Sequence, residues 1–345
     1  MDLIVVTGSY GKKAVVKMLF QYLKNSSIKS IVYRYSDQSQ EKILDYNQIQ
    51  DWTRHNHLSD VQVVIIEISL NELSKLESLR CDYLVVTDHN DLDLKYESSQ
   101  DEVYSMLNSR QLEYKQLILN SKSMNKLNDT KTCPRYFSLN SKEEYSLEVI
   151  SNSIKGLVMK YKNKHIKTRL ITNFHAENII CVIAVLELMS LYNYRKFKKV
   201  IKNIVIDGQV QKLRTRKNHH IIIDYRAHNF KNIIEEIVQT ANSFNYNLIV
   251  SVKKMDIHKM SLWLKHKDVL EFVKSKYSYI VNQEEETVND INMTLKWLVQ
   301  NGIYRTDYLT GNKLDINKIQ DKNEFIIMFI EDESLKTMKD MGCVI

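Results

Sequence analysis

"LIVVTGSYGKKA", residues 3–14, decides how the rest of the chain is read. An apolar, β-branched run stops at Gly8, a second glycine follows at Gly11, and Lys12 and Lys13 open a segment with helical apolar spacing through Leu23. A continuous apolar run such as Leu3–Thr7 suits a strand buried on both faces. Strand, glycine loop, lysine and helix together make the geometry of a phosphate cradle. Backbone N–H groups of the loop and of the helix N-terminus point at the anion, and the helix dipole assists them. Gly8 and Gly11 can take backbone angles that other residues resist, and a lysine at the helix start adds a point charge. Thr7, Gly8, Ser9, Tyr10, Gly11, Lys12 and Lys13 are therefore candidate anion ligands. One position departs from the usual pattern: a Ser or Thr normally follows the lysine and its hydroxyl binds Mg²⁺, whereas Lys13 cannot ligate a cation. Read by itself, the stretch fits equally an ordinary strand-to-helix turn with two solvated lysines.

The neighbouring strands add to the phosphate reading. "VVIIEIS" (63–69) carries Glu67 at the end of a second buried strand. An acid at the C-terminal end of a parallel strand lies over the crevice where α/β proteins bind ligands, and there it can hold Mg²⁺ or polarise a water. "TDHNDLD" (87–93) follows a third strand and offers Asp88, His89, Asp91 and Asp93 as further metal ligands, or as a solvated turn.

Composition sets the frame. The chain has 345 residues, 43% apolar and 26% charged, which suits two domains of an ordinary globular protein. No apolar run reaches the ~20 residues of a membrane span, and Asp2 followed by a short apolar stretch is not a signal-peptide layout. A cytoplasmic protein with no membrane partner is expected. The four cysteines, Cys81, Cys133, Cys181 and Cys343, show no CxxC spacing and are expected as free thiols. The net charge of +7 is compatible with anionic ligands or nucleic acid and proves neither. The basic run "RKFKKVIKN" (195–203) alternates like a helix packed on one face, and "KLRTRKNHH" (212–220) reads as a solvated hairpin, so no nucleic-acid partner is expected.

Strand and helix patterns alternate through the first third, with strands at Leu3–Thr7, Ser30–Tyr33, Val61–Ile68, Tyr83–Thr87 and Leu117–Asn120 and helices at Lys12–Leu23 and Ser99–Asn108. This implies an α/β fold with a mainly parallel, P-loop-type sheet. Leu147–Ile150, Gly156–Lys160 and His165–Leu170 read as a small antiparallel meander, with "YKNKH" (161–165) as a turn. Helices at Ala176–Tyr192 and Arg195–Asn203 follow. A second series begins after Gly208, with strands at Ile221–Asp224, Leu248–Val252, Tyr277–Val281 and Phe325–Ile330 and helices at Asn232–Ser243, His258–Lys274 and Glu286–Asn301. The expected domains are 1–206 and 207–345, the second Rossmann-like.

The order of these motifs resembles the Mur ligase family, which includes folylpolyglutamate synthetase-type enzymes. These join an amine to a carboxylate through an acyl phosphate made from ATP. "VTGSYGKKA" (6–14) resembles the family loop TGTNGKT followed by Ser or Thr, matching at Thr7, Gly8, Gly11 and Lys12. "IEIS" (66–69) resembles the family stretch that keeps a magnesium-binding glutamate, at Glu67. "VVTDHNDLD" (85–93) resembles TNLSRDHLD, shortened by about two residues, with Asp91 where the metal-binding histidine falls. "LILN" (117–120) resembles the strand ending in INADD, at Asn120. "LITNFHAENIICVIAVLEL" (170–188) resembles LPGxFNxxNxLAAxA, matching at Phe174 and at Asn178, where the family asparagine faces adenine. "IDGQVQ" (206–211) resembles PGRME. "IIIDYRAHNFKNIIEEI" (221–237) resembles VVDYAHTPDALEKAL with one residue inserted, matching at Asp224, Tyr225 and His228.

The resemblance implies ATP and Mg²⁺ as cofactors, a small-molecule carboxylate and an amino-acid-like amine as substrates, and Lys12, Glu67 and His228 as catalytic residues. Thr7 through Lys13, Asn178 and Asp224 would bind nucleotide, and Glu67 and Asp91 would bind metal. It also implies absence of the family's amino-terminal UDP-sugar domain, because the loop begins near residue 3. The departures cluster on charge-handling positions. Lys13 replaces a hydroxyl, Ser105 a carbamylated lysine, His175 an asparagine and Gln209 an arginine, while "SVKKMDIHK" (251–259) and "FIEDESLK" (329–336) lack the family's substrate-domain motifs. They leave open an alternative: a catalytically impaired relative that binds nucleotide and serves a protein partner as a regulatory or scaffolding subunit.

Overall fold

The structure is a computed structural model. It describes residues 1–8, 10–34, 60–74, 76, 79–87, 107, 112–121, 132–139, 142–153 and 155–206, then residue 300 and the strands at 211–214, 220–224, 246–252, 278–282, 306–310 and 325–329. The chain divides into two compact units, one of Met1–Arg169 with Asn173–Ile204 and one of Leu170–Thr172 with Val205–Ile345.

In the first unit the chain runs β1 (Asp2–Thr7), α1 (Lys12–Asn25), β2 (Ser30–Arg34), β3 (Val63–Glu67), α2 (Leu70–Ser74), β4 (Leu79–Val86), β5 (Leu112–Asn120), β6 (Arg135–Ser138) and β7 (Tyr145–Ser146). These strands form one sheet in the order β2-β3-β1-β4-β5-β6-β7, parallel at every pairing. The sheet grows to one side of β1 through β3 and to the other through β4, so the strand order switches direction at β1. Ligands of open α/β sheets bind outside the carboxyl ends of strands at such a point.

The reason for this architecture is visible in β1. Leu3, Ile4, Val5 and Val6 are all fully buried, so both pleat faces must be covered, which parallel sheets achieve with helices. Leu3 and Val5 enter an apolar cluster with Val64, Ile66, Leu84, Val86, Leu117 and Leu119. Helix α1 buries Val15, Met18, Leu19, Tyr22 and Leu23, side chains worth roughly 1.5–3 kcal/mol each on full burial.

Strands β4 and β5 begin earlier than apolar patterning indicates, because charged residues occupy their first halves for a structural purpose. Asp82, nearly buried, accepts the Leu3 N–H at 2.8 Å through Oδ2 and pairs with Lys115 at 2.5 Å through Oδ1. It therefore supplies the partner of a β1 amide. Strands β6 and β7 carry too few apolar residues to be read from sequence.

The chain then makes β8 (Glu148–Ser153), β9 (Gly156–Tyr161) and β10 (Lys164–Thr168), an antiparallel sheet in the order β10-β9-β8. Lys162 (φ 43°) and Asn163 (φ 62°) form the two-residue turn between β9 and β10, and paired positive φ values match the right-handed strand twist. Helices α3 (Asn173–Leu188) and α4 (Tyr194–Lys202) close the unit. Asn193 caps α4 by accepting the Lys196 N–H at 3.2 Å. Tyr22 binds the α3–α4 connection to α1. Its hydroxyl donates to the Leu191 carbonyl at 2.6 Å and accepts the Asn193 N–H at 2.8 Å.

The second unit holds β11 (Gln211–Arg214), β12 (His220–Asp224), β13 (Tyr246–Val252), β14 (Ser278–Asn282), β15 (Thr306–Thr310) and β16 (Phe325–Phe329). Its sheet order is β11-β12-β16-β13-β14-β15, parallel except for the β11–β12 pair. This is an α/β chain with mainly parallel sheets and one small antiparallel sheet. The helices expected at Ser99–Asn108, Asn232–Ser243, His258–Lys274 and Glu286–Asn301 lie outside the described residues, apart from single positions.

Candidate functional site

The site is built where β1 ends. Gly8 (φ 133°) and Gly11 (φ 95°, ψ −22°) both hold backbone angles that favour glycine, and Gly11 caps the N-terminus of α1. Among the described residues no side chain caps that end of the helix, and the first N–H groups of a helix have no intrahelical partner. Lys12, the first residue of α1, folds back so that its Nζ donates to the Gly8 carbonyl at 2.5 Å. Lys13 follows it on the helix and is half-buried.

Strand β4 anchors this loop through Thr87. Its Oγ1 donates to the carbonyl of Tyr10 at 2.6 Å and lies 3.1 Å from the carbonyl of Thr7, which the Thr87 N–H also reaches at 2.9 Å. The sequence pattern does not single out Thr87. The available signal was a polar residue closing the apolar run of a strand adjacent to β1.

Helix α3 closes the other side. The Tyr10 ring is buried and sits 4.4 Å from the Phe174 ring, centroid to centroid. The Asn178 carboxamide lies so close to Gly11 that a Cβ there would stand 2.6 Å from its Oδ1. Among the described residues, Asn178 Nδ2, Thr7 Oγ1 and both ring nitrogens of His175 are buried with no hydrogen-bond partner. Buried polar groups are normally satisfied, and orphans around a glycine loop are what a polar ligand would satisfy. His175 is wholly buried with its ring 5.2 Å from Phe174, and burial lowers its pKa from 6.5 to about 3, so it is a neutral imidazole. Asn120, at the end of β5, donates to Glu177 on α3 at 3.3 Å, a partnership that sequence did not indicate.

Glu67 ends β3, opposite Val6 in the β1 register. It therefore stands at the same end of the sheet as the loop, and its Oε2 is sealed from solvent. Just beyond it, Ser69 and Glu72 form a capping box on α2. The Glu72 N–H donates to Ser69 Oγ at 3.1 Å and the Ser69 N–H to Glu72 Oε2 at 2.9 Å. That fixes the direction in which the chain leaves Glu67. The Glu67 carboxylate is the kind of oxygen ligand that Mg²⁺ takes, one or two carboxylates completing its shell with other oxygen ligands and water. Among the described residues no group of three His, Cys, Asp or Glu could hold a metal.

The structure thus brings together Thr7, Gly8, Tyr10, Gly11, Lys12, Asn178 and, at the same sheet end, Glu67. Ser9, Asp91, Ser105, Gln209 and His228 lie outside the described residues. Asp224 ends β12 in the second unit, opposite Phe329 in register. Cys81, Cys133 and Cys181 are free, and burial pushes the Cys81 and Cys181 thiols up, away from reactive thiolate.

Comparison with solved structures gives the same fold across nearly the whole chain. UDP-N-acetylmuramate-alanine ligase MurC from Thermotoga maritima matches with a TM-score of 0.64 and 15% identity, covering 99% of this chain and 75% of that one. A MurF ligase from Thermotoga maritima in complex with ADP matches at 0.61 and 12%, covering 99% and 78%. Folylpolyglutamate synthase from the same organism matches at 0.62 and 12%, covering 95% and 85%. No curated protein matches the sequence. The sequence model of the Mur ligase middle domain matches residues 6–186. That segment spans the glycine loop, Glu67 and the Phe174–Asn178 stretch, and it makes up more than half of the chain: this protein belongs to the Mur ligase family.

Proposed function

We propose that the chain is an ATP-dependent ligase that activates a small-molecule carboxylate as an acyl phosphate and passes it to an amino-acid-like amine. One observation carries the reading: the glycine loop between β1 and α1 holds Lys12 at its mouth, while Glu67 ends the neighbouring strand. Transfer of a phosphoryl group concentrates negative charge, and catalysis rests on cations and N–H donors already in position around it. In this reading the amides of residues 8–13 and the Lys12 ammonium hold the β- and γ-phosphates, with Asn178 toward the base. Glu67, joined by Asp91, holds Mg²⁺, which neutralises phosphate charge when bound. Residues 1–206 form the nucleotide-binding domain, and residues 207–345 form a second domain that carries Asp224 as a further nucleotide ligand and His228 as a catalytic residue. The protein acts in the cytoplasm.

Calorimetric titration with ATP and AMP-PNP, with and without Mg²⁺, tests the cradle. Metal-dependent binding that Lys12→Ala abolishes is the expected result; no binding at millimolar Mg·ATP refutes it. ADP and phosphate release across panels of carboxylates and amino acids then tests the chemistry.

A second reading rests on Lys13, an ammonium in place of the family's metal-binding hydroxyl. Here the protein binds nucleotide but turns over little and serves a partner protein as a regulatory subunit. Robust amide formation by the purified chain alone rules it out.

A further inference from the structure

We propose that α4 and the edge strand β10 form a second, independent site that binds the phosphate backbone of a nucleic acid. Arg195, Lys196, Lys198, Lys199 and Lys202 are exposed on α4, and Lys164 and Lys167 are exposed on β10. The two segments contain no acidic residue. Among the described residues none of these cations takes part in an ion pair, whereas Arg80, Lys115, Arg135, Lys160 and Lys162 all do. Their combined charge equals the chain's whole formal excess of +7. Seven exposed cations on two adjoining segments without an acidic residue are the footprint of a polyanion site.

Tertiary contacts join segments far apart in sequence. The Thr168 hydroxyl donates to the Ile201 carbonyl at 2.8 Å, and the Tyr194 hydroxyl to the His165 carbonyl at 2.7 Å. The Tyr194 ring lies 5.1 Å from Lys164 Nζ and 5.7 Å from Lys198 Nζ. One cation from each element is thus held over the same ring, which reduces the ordering cost of binding. Along the helix, residues 195, 198, 199 and 202 fall within one arc, away from buried Phe197 and Ile201.

The chemistry of the surface selects the partner. With Phe197 and Ile201 buried, α4 presents no apolar anchor for a membrane interface. Protein interfaces need an apolar or aromatic centre and are depleted in Lys. The large exposed hydrophobic among the described residues, Ile150, lies on β8, at the opposite edge of the small sheet. A lysine-rich, solvated surface is suited to phosphodiesters, which it engages by releasing counterions. It is also separate from the glycine loop. Tyr22, whose ring lies 5.9 Å from Phe197 of α4, is ten residues beyond Lys12 on α1, or about 15 Å along the helix axis.

Fluorescence anisotropy with labelled single-stranded RNA, single-stranded DNA and duplex DNA, over a salt series, tests this on the full chain. Binding should weaken steeply with salt. Arg195→Gln/Lys199→Gln should lose about tenfold in affinity at low salt and reduce the log–log salt slope by about two. Arg80→Gln/Arg135→Gln, which removes the same charge from paired sites, should change neither. ATP titration of both variants should match the parent, which keeps this test separate from that of the ligase reading. Absence of binding at low salt, equal loss in both variants, or binding only to vesicles containing phosphatidylserine overturns the proposal.

Discussion

Gly11 and Asn178 occupy complementary space: the backbone of the loop glycine meets the helix carboxamide with no room for a Cβ between them. The contact makes the start of α1 and the face of α3 one unit. It depends on glycine twice, for volume and for its φ of 95°. Gly11→Ala should cost about 1–3 kcal/mol of stability from the backbone alone and at least tenfold in nucleotide affinity. Adding Asn178→Ala should return the steric part of the stability and leave the backbone part, so denaturant titration of the single and double variants separates them.

Thr87 carries a distinct load. Thr87→Val keeps its shape and its N–H but leaves the Tyr10 carbonyl without its donor at 2.6 Å. A loss of about 1–2 kcal/mol is expected, with weaker binding of ATP as the loop loosens. Thr87→Ser should restore most of both, which urea denaturation and calorimetry can check.

His175 makes stability depend on pH. Its pKa is lowered by burial to about 3 in the folded chain, against 6.5 for an ordinary histidine. The unfolded chain therefore binds a proton that the folded chain refuses, and stability falls as pH drops from 6.5 toward 3. The contribution approaches about 1.4 kcal/mol per pH unit within that window and vanishes above it. His175→Leu should flatten this part of the profile, read as urea midpoints between pH 7.5 and 4.5.

Lys13→Thr restores a hydroxyl to the second position of α1. If the site uses a metal, Mg²⁺ should raise ATP affinity about tenfold more in this variant than in the parent, and Glu67→Gln should erase the gain. An unchanged metal response in Lys13→Thr would mean that the Lys13 ammonium had not displaced an ion.

Particular elements show why some features were legible before folding was considered and others were not. Leu3–Val6 is apolar at every position, so its burial on both faces, the parallel sheet and the glycine turn that follows are local consequences of composition and backbone freedom. The β9–β10 turn was legible for the same reason, because Asn163 favours the positive φ it adopts. In contrast, Arg80, Asp82, Glu113 and Lys115 break the apolar pattern of β4 and β5. Their use as cross-strand pairs, and of Asp82 as partner to the Leu3 amide, exists only once the strands are adjacent.

Sequence alone determined the α/β class and the strand–glycine-loop–helix order, because residue type and spacing are local properties, whereas Asn178 stood out only through the family resemblance. Tertiary structure decided that Thr87 holds the loop, that Asn178 presses on Gly11, that His175 is neutral, and that two distant basic segments form one surface. Each of these depends on which chain segments meet, and contact between residues as far apart in sequence as Gly11 and Asn178 is set by the packing of the whole sheet and its helices rather than by any one stretch of sequence.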